Sequence, residues 1–161
     1  MEHLEVERKF LVKRDSYKQS ASSKTRIVQG FLNTHPERTV RVRIKGDKGY
    51  LTVKGLGNRS GTTRFEWETK ISVAEATSLM NLCEPIILEK ARYEVPMGKH
   101  VFEVDEFSGQ NEGLIIAEIE LQHEDEPFKR PEWLGEEVTG DPKYYNSQLS
   151  IKPYTQWKEK S

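Results

Sequence analysis

The chain has 161 residues, 35% hydrophobic and 32% charged, with 25 Lys+Arg against 26 Asp+Glu and a formal net charge of −1. That length suits a single domain over residues 1–161 with one real core. Near-neutrality argues against a general nucleic-acid or membrane-surface binder, which would carry a basic excess, though not against a local basic site. Apolar residues recur at strand period, which a disordered chain of equal polarity would lack.

The one cysteine, Cys83, rules out an internal disulfide and reads as a buried, inert thiol near a helix end. The opening Met1-Glu2-His3-Leu4-Glu5 has no basic region followed by an apolar run. No window approaches the ~18 apolar residues of a membrane span, so a soluble cytoplasmic protein is expected.

In chain order, residues 3–12 form the first strand. Glu5, Glu7 and Lys9 share one face of it, and Leu4, Val6 and Phe10 share the other. Residues 13–23 are polar, with a helical turn at 15–19. Residues 25–33 form a second strand, closed by Asn33-Thr34-His35-Pro36. Residues 39–45 alternate Val40, Val42 and Ile44 against Arg41, Arg43 and Lys45, and residues 50–54 return as the hairpin partner. The Gly-Leu-Gly-Asn-Arg-Ser-Gly stretch at 55–61 could pass for a phosphate-cradling loop. A strand follows it where a dinucleotide fold needs a helix, so a mobile hairpin is expected instead.

Residues 63–71 alternate again. Ser72 with Glu75 makes a capping-box pattern for a helix over 74–82, which Pro85 stops. Residues 86–96, 100–107 and 114–122 are three more strands, and short helices at 131–134 and 143–149 could cap an opening. With about eight strands at hairpin spacing and few helices, the pattern is that of a closed barrel or a sandwich.

On any single strand, an ordinary antiparallel sheet with one wet face explains the charge alternation. Across the set, like charges recur at Glu5/Glu7, Arg41/Arg43, Glu66/Glu68 and Glu118/Glu120, and such neighbours repel unless compensated. Residues of opposite parity, among them Phe65/Trp67 and Ala117/Ile119/Leu121, make an apolar surface that few helices must cover. If the sheet closes, the charges fill the lumen, joined by Lys90/Arg92/Glu94 and Glu103/Asp105. The apolar side then faces outward under helices and a second subunit, so a homodimer is among the expectations. A charged lumen and a solvated face both stay open at this point.

Such a lumen suits one chemistry. Carboxylate pairs are hard oxygen ligands for Mg²⁺ or Mn²⁺, and Arg and Lys bind phosphate oxygens, so together they suit a polyphosphate–metal complex. His3, His35, His100 and His123 lack ligand spacing, and Trp67, Trp133 and Trp157 read as packing.

Glu5-Val6-Glu7-Arg8-Lys9 resembles the Glu-x-Glu-x-Lys signature of the CYTH superfamily, the triphosphate tunnel metalloenzymes. The resemblance continues through Gln29-Gly30-Phe31-Leu32, Val40-Arg41-Val42-Arg43, Leu51-Thr52-Val53-Lys54, residues 64–68, Glu89-Lys90-Ala91-Arg92-Tyr93, residues 102–105 and Ala117-Glu118-Ile119-Glu120, to residues 133–139. The chain looks most like the short bacterial members. The resemblance implies a mainly β fold, an eight-stranded antiparallel closed tunnel that hydrolyses triphosphate compounds with Mg²⁺ or Mn²⁺.

Carried over by position, Glu5, Glu7 and Glu120 resemble the main metal ligands, with Glu118, Asp105, Glu66 and Glu68 as nearby acids. Arg41, Arg43, Lys54, Arg64, Lys90 and Arg92 resemble the triphosphate clamp, and Lys9 the signature lysine that contacts phosphate or orients water. Lys9 and Glu7 are the expected catalytic pair. One departure stands out: Phe31 replaces the family's tyrosine, whose hydroxyl is thought to assist proton transfer. By parity Tyr93 faces away from Lys90 and Arg92, so it is a poor substitute.

The expected activity is metal-dependent cleavage of inorganic triphosphate to diphosphate and phosphate. An adenylate cyclase, a nucleoside or thiamine triphosphatase, a non-catalytic polyphosphate or nucleotide binder, and a plain sheet-based interaction protein remain the alternatives.

Overall fold

The structure is a computed structural model and describes residues 3–157. Its elements are β1 (Leu4–Val12), α1 (Tyr17–Ser20), β2 (Ser23–Asn33), β3 (Arg38–Lys45), β4 (Lys48–Gly55), β5 (Thr63–Ile71), α2 (Val73–Met80), β6 (Leu88–Met97), β7 (His100–Phe107), β8 (Ile115–Glu120), β9 (Leu134–Glu137) and α3 (Asn146–Leu149). The strands run in the order β5-β4-β3-β2-β6-β7-β8-β1, and antiparallel pairing of β1 with β5 closes the ring. The expected closed antiparallel barrel is what the chain forms.

The closing seam is short. Only Leu4–Val6 pairs with β5, and from Phe10 onward the same edge of β1 pairs with β9 instead. Between the two, the Glu7 amide donates to the Thr62 carbonyl at 2.9 Å and the Lys9 amide to Thr139 Oγ1 at 2.9 Å. Arg8 grips Glu137 with two bonds, at 2.8 and 2.6 Å, and so ties β9 to β1 on the outside.

The helix expected at 131–134 is absent. A turn from Pro131 leads straight into β9, and Trp133 is buried edge-on against Tyr17 and Phe102, with ring centroids at 5.8 and 5.3 Å. Burying a large aromatic contributes about 1.5–3 kcal/mol, more than the propensity difference behind a one-turn helix. The second tail segment does coil, as a tight turn over Pro142–Tyr144 followed by α3. At α2 the capping box forms as expected, with the Ser72 hydroxyl accepting from the Glu75 amide and the Glu75 carboxylate accepting from the Ser72 amide.

Apolar packing lies in two places. Phe10, Tyr93, Val104 and Ile119 project from the outer face of the barrel, where α1, Trp133 and Leu134 cover them. Phe31, Leu88, Phe107 and Ile116 share strand parity with Gln29, Lys90, Asp105 and Glu118, so they project inward at one end. There they meet Tyr144, Leu149 and Trp157 from the tail. The barrel is thus plugged with hydrocarbon at one end and ionic through the rest of its lumen.

Candidate active site

The ionic part of the lumen is a cavity of about 180 Å³. Inward parity brings in Glu5, Glu7 and Lys9 from β1, Arg41, Arg43 and Lys45 from β3, and Lys54 from β4. It also brings Arg64, Glu66 and Glu68 from β5, Lys90 and Arg92 from β6, Glu103 from β7, and Glu118 and Glu120 from β8. Every sequence-predicted site residue except Asp105 therefore lines one cavity. Such convergence rules out a set of solvated faces.

Registry explains the pairings. Glu7 lies opposite Glu120, Lys9 opposite Glu118, Glu5 opposite Arg64 and Lys54 opposite Glu66. Lys54 Nζ bridges Glu5 at 3.0 Å and Glu66 at 3.3 Å, and Lys9 Nζ stands 3.6 Å from Glu118. Arg41 and Arg43 both reach Glu68, at 3.5 and 3.3 Å. The Nε atoms of Arg41 and Arg43 are nevertheless buried and have no hydrogen-bond partner among the described residues. Buried donors without a partner are rare in folded proteins, and both of these belong to side chains that line the cavity.

Asp105 sits behind the lining. Arg92 Nε and Nη2 donate to its two oxygens at 2.8 and 2.9 Å, and Lys90 Nζ lies 2.9 Å from Oδ2. Burial works against its charge, but Arg92 and Lys90 outweigh that and hold the carboxyl below its ordinary range. With both oxygens committed, Asp105 fits an orienting role toward the two bases better than metal ligation.

The acids on β1 and β8 have different electrostatics. Burial, then Glu118 and Glu5, push the Glu7 carboxyl well above its ordinary range. Burial also disfavours charge on Glu118, yet Lys9, a hydrogen bond from Glu7, Arg92 and Lys90 together hold it well below. These surroundings thus push the two neighbouring carboxyls in opposite directions, Glu7 up and Glu118 down. Burial, then Glu5, Glu103 and Glu66, raise Glu120 as well. Among the bases, burial and Arg43 pull Arg41 down to about 10, and burial pulls Lys90 down to about 8 against the attraction of Asp105.

Glu5, Glu7, Glu118 and Glu120 are hard oxygen donors crowded enough to raise two of their own pKa values, and a divalent cation would relieve that repulsion. Among the described residues, no group of three or more acids, histidines or cysteines stands in a ligating arrangement, and Glu5 and Glu118 are turned to Lys54 and Lys9. Eight basic and seven acidic side chains line the cavity. A lining so near neutrality accepts a polyanion best together with a cation.

Sequence reading missed five lining residues: Thr39 and Thr52 on β3 and β4, and Tyr145, Asn146 and Ser147, which the tail lays across the plugged end. The Tyr145 ring lies 5.4 Å from Lys9 Nζ and 5.9 Å from the Arg64 guanidinium carbon. Phe31 is buried at the same end and offers no hydroxyl, while Tyr93 packs outside the barrel, as its parity predicts. A second chamber of about 410 Å³ joins the first along Glu5, Glu7, Lys9, Arg64 and Tyr145, and adds Pro36, Leu56 and Thr62 to its wall. Its side is closed where Gly61 and Gly140 meet back to back, both with φ near +80° (78° and 80°), and a Cβ on Gly61 would overlap Gly140 Cα. The loop before Gly61 is pinned rather than loose, since Ser60 and Thr62 hydroxyls donate to Glu124 at 2.8 and 2.6 Å.

A closed antiparallel barrel with paired carboxylates and clustered guanidinium groups inside defines a class of polyanion-binding tunnel proteins. Residues 3–149 match the CYTH domain, and the chain belongs to that family. It is 48% identical over 156 residues to an inorganic triphosphatase of Acetivibrio thermocellus, covering 96% of this chain and 98% of that one. It is 35% identical over 152 residues to an inorganic triphosphatase of Nitrosomonas europaea, covering 91% and 97%. The solved structure of the inorganic triphosphatase NE1496 superposes with a TM-score of 0.64 at 31% identity, over 91% of this chain and 94% of that one.

Proposed function

We propose that this protein is a metal-dependent triphosphatase that cleaves inorganic triphosphate to diphosphate and phosphate. The observation that carries the reading is the pair of buried guanidinium groups on Arg41 and Arg43 with unmet Nε donors, inside a cavity that also holds a carboxylate cluster. Two relatives that share nearly the whole chain are inorganic triphosphatases, which supports the same reaction here.

In this reading Arg41, Arg43, Lys54, Arg64, Lys90 and Arg92 bind the phosphoryl oxygens and stabilise charge spread over the transferring group. Glu5, Glu7, Glu118 and Glu120 would hold Mg²⁺ or Mn²⁺. Bound there, the ion supplies Lewis acidity and lowers the pKa of a coordinated water. Lys9, between Glu118 and the Tyr144 carbonyl, orients substrate and the attacking water. Asp105 acts through Arg92 and Lys90. A second subunit would cover the exposed outer row Leu4, Phe65 and Trp67.

The larger chamber beside Tyr145 favours one further reading, an organic triphosphate whose non-phosphate group occupies it. Phosphate release from inorganic triphosphate and from ATP, each with Mg²⁺, with Mn²⁺ and with chelator, tests both. Turnover of inorganic triphosphate that chelator abolishes supports the main reading. Turnover of ATP alone transfers support to the second, and binding without turnover with either metal overturns both.

A further inference from the structure

The tail residue Asn146 belongs to no sequence motif, yet it occupies a junction of the clamp. Its Oδ1 accepts from Lys90 Nζ at 2.9 Å and from Gln29 Nε2 at 2.7 Å. A lysine ammonium can only donate, so the atom facing Lys90 is the oxygen, and this fixes which way the amide points. The Asn146 Nδ2 donates to no described residue and belongs to a side chain that lines the cavity.

Lys90 has three donors. One meets Asp105 at 2.9 Å and one meets Asn146, which leaves the third for a ligand in the lumen. Gln29 and Lys90 are both fully or almost fully buried, at 0% and 3% exposure, so neither can turn to water instead. The same contact thus sets the aim of Lys90 and leaves a neutral donor beside it.

We propose that Asn146 completes the triphosphate clamp: its carbonyl oxygen aims Lys90, and its amide nitrogen donates to a phosphoryl oxygen. The inference rests on the triphosphate reading above. A carboxylate at this position would hold Lys90 equally well but would turn an acceptor toward the polyanion. An amide satisfies both demands.

The test compares wild type, Asn146→Ala and Asn146→Asp in steady-state hydrolysis of inorganic triphosphate with Mg²⁺ or Mn²⁺, with thermal unfolding of each. A hydrogen bond to a charged group corresponds to about tenfold in affinity. Asn146→Ala is expected to raise KM about tenfold or more with kcat changed far less. Asn146→Asp is expected to raise KM at least as much, although it keeps the oxygen for Lys90 and Gln29 and keeps Tm near wild type.

Wild-type KM in Asn146→Ala overturns the inference, as does an Asn146→Asp variant that restores wild-type KM. If Asn146→Asp fails to fold, Asn146→Ser decides by the same KM criterion. A wild type that releases no phosphate overturns the triphosphate reading itself, and that result is distinct from either variant outcome.

Discussion

Arg92 and Asp105 face each other across β6 and β7 and form a two-pronged ion pair at 2.8 and 2.9 Å, which Lys90 joins from two residues back along β6. Asp105 is the counter-charge for two buried bases. Removing one partner of a buried pair leaves the rest uncompensated, which typically costs about 3–5 kcal/mol. Asp105→Asn is therefore expected to lower the free energy of unfolding in urea by about that amount. A variant as stable as wild type would show that Asp105 is not this counter-charge.

Arg43 makes the opposite case. It crowds Arg41, whose guanidinium it helps pull down to about 10, and its own Nε is unmet. Arg43→Ala removes repulsion from the empty lumen together with a substrate contact. KM for triphosphate is expected to rise about tenfold or more, while Tm stays level or rises. A large fall in Tm would contradict the placement of Arg43 as a binding group held at a cost to stability.

Acid stability has a separate source. Glu126 accepts from the Gln122 amide at 2.6 Å and meets His100 Nε2 at 2.6 Å, and these contacts push its carboxyl down to about 2. A folded-state pKa below the unfolded value adds stability above the unfolded pKa, and that stability is lost as pH falls through the folded one. The urea midpoint of wild type is expected to exceed that of Glu126→Gln at pH 6, and the gap to shrink as pH falls from about 4.5 toward about 2. A gap that stays constant over that window would contradict the assignment.

Gly61 and Gly140 seal the seam beside Glu7 and Lys9. Gly61→Ala would place a methyl group on Gly140 at a backbone angle that L-residues disfavour. Overpacking and left-handed strain together predict a loss of about 1–3 kcal/mol. Thermal unfolding checks this, and an unchanged Tm would mean that the two loops part freely.

The sequence carried the charged lining in plain form because Arg41/Arg43 and Glu118/Glu120 set like charges side by side, where a wet face would mix them. The plug was written in the same parity. Phe31 follows Gln29 and Phe107 follows Asp105 on one face, so the change from polar to apolar along a strand was there to be seen. β9 was not legible, since Leu-Gly-Glu-Glu has no β-branched residue and forms a strand only because β1 offers an open edge. Asn146 was legible least of all. Its partners Lys90 and Gln29 lie 56 and 117 residues away in the chain, and no local period records such a contact.

The central claim is that this ionic lining is where a triphosphate is broken. Glu7 tests it most directly, because it lines the cavity opposite Glu120, burial and its acidic neighbours push its carboxyl upward, and a glutamine is a nearly isosteric replacement that removes the carboxylate. Phosphate release from inorganic triphosphate with Mg²⁺ or Mn²⁺ should fall about 10²-fold or more in Glu7→Gln, at a Tm close to wild type. A folded Glu7→Gln protein that releases phosphate at the wild-type rate would contradict the account.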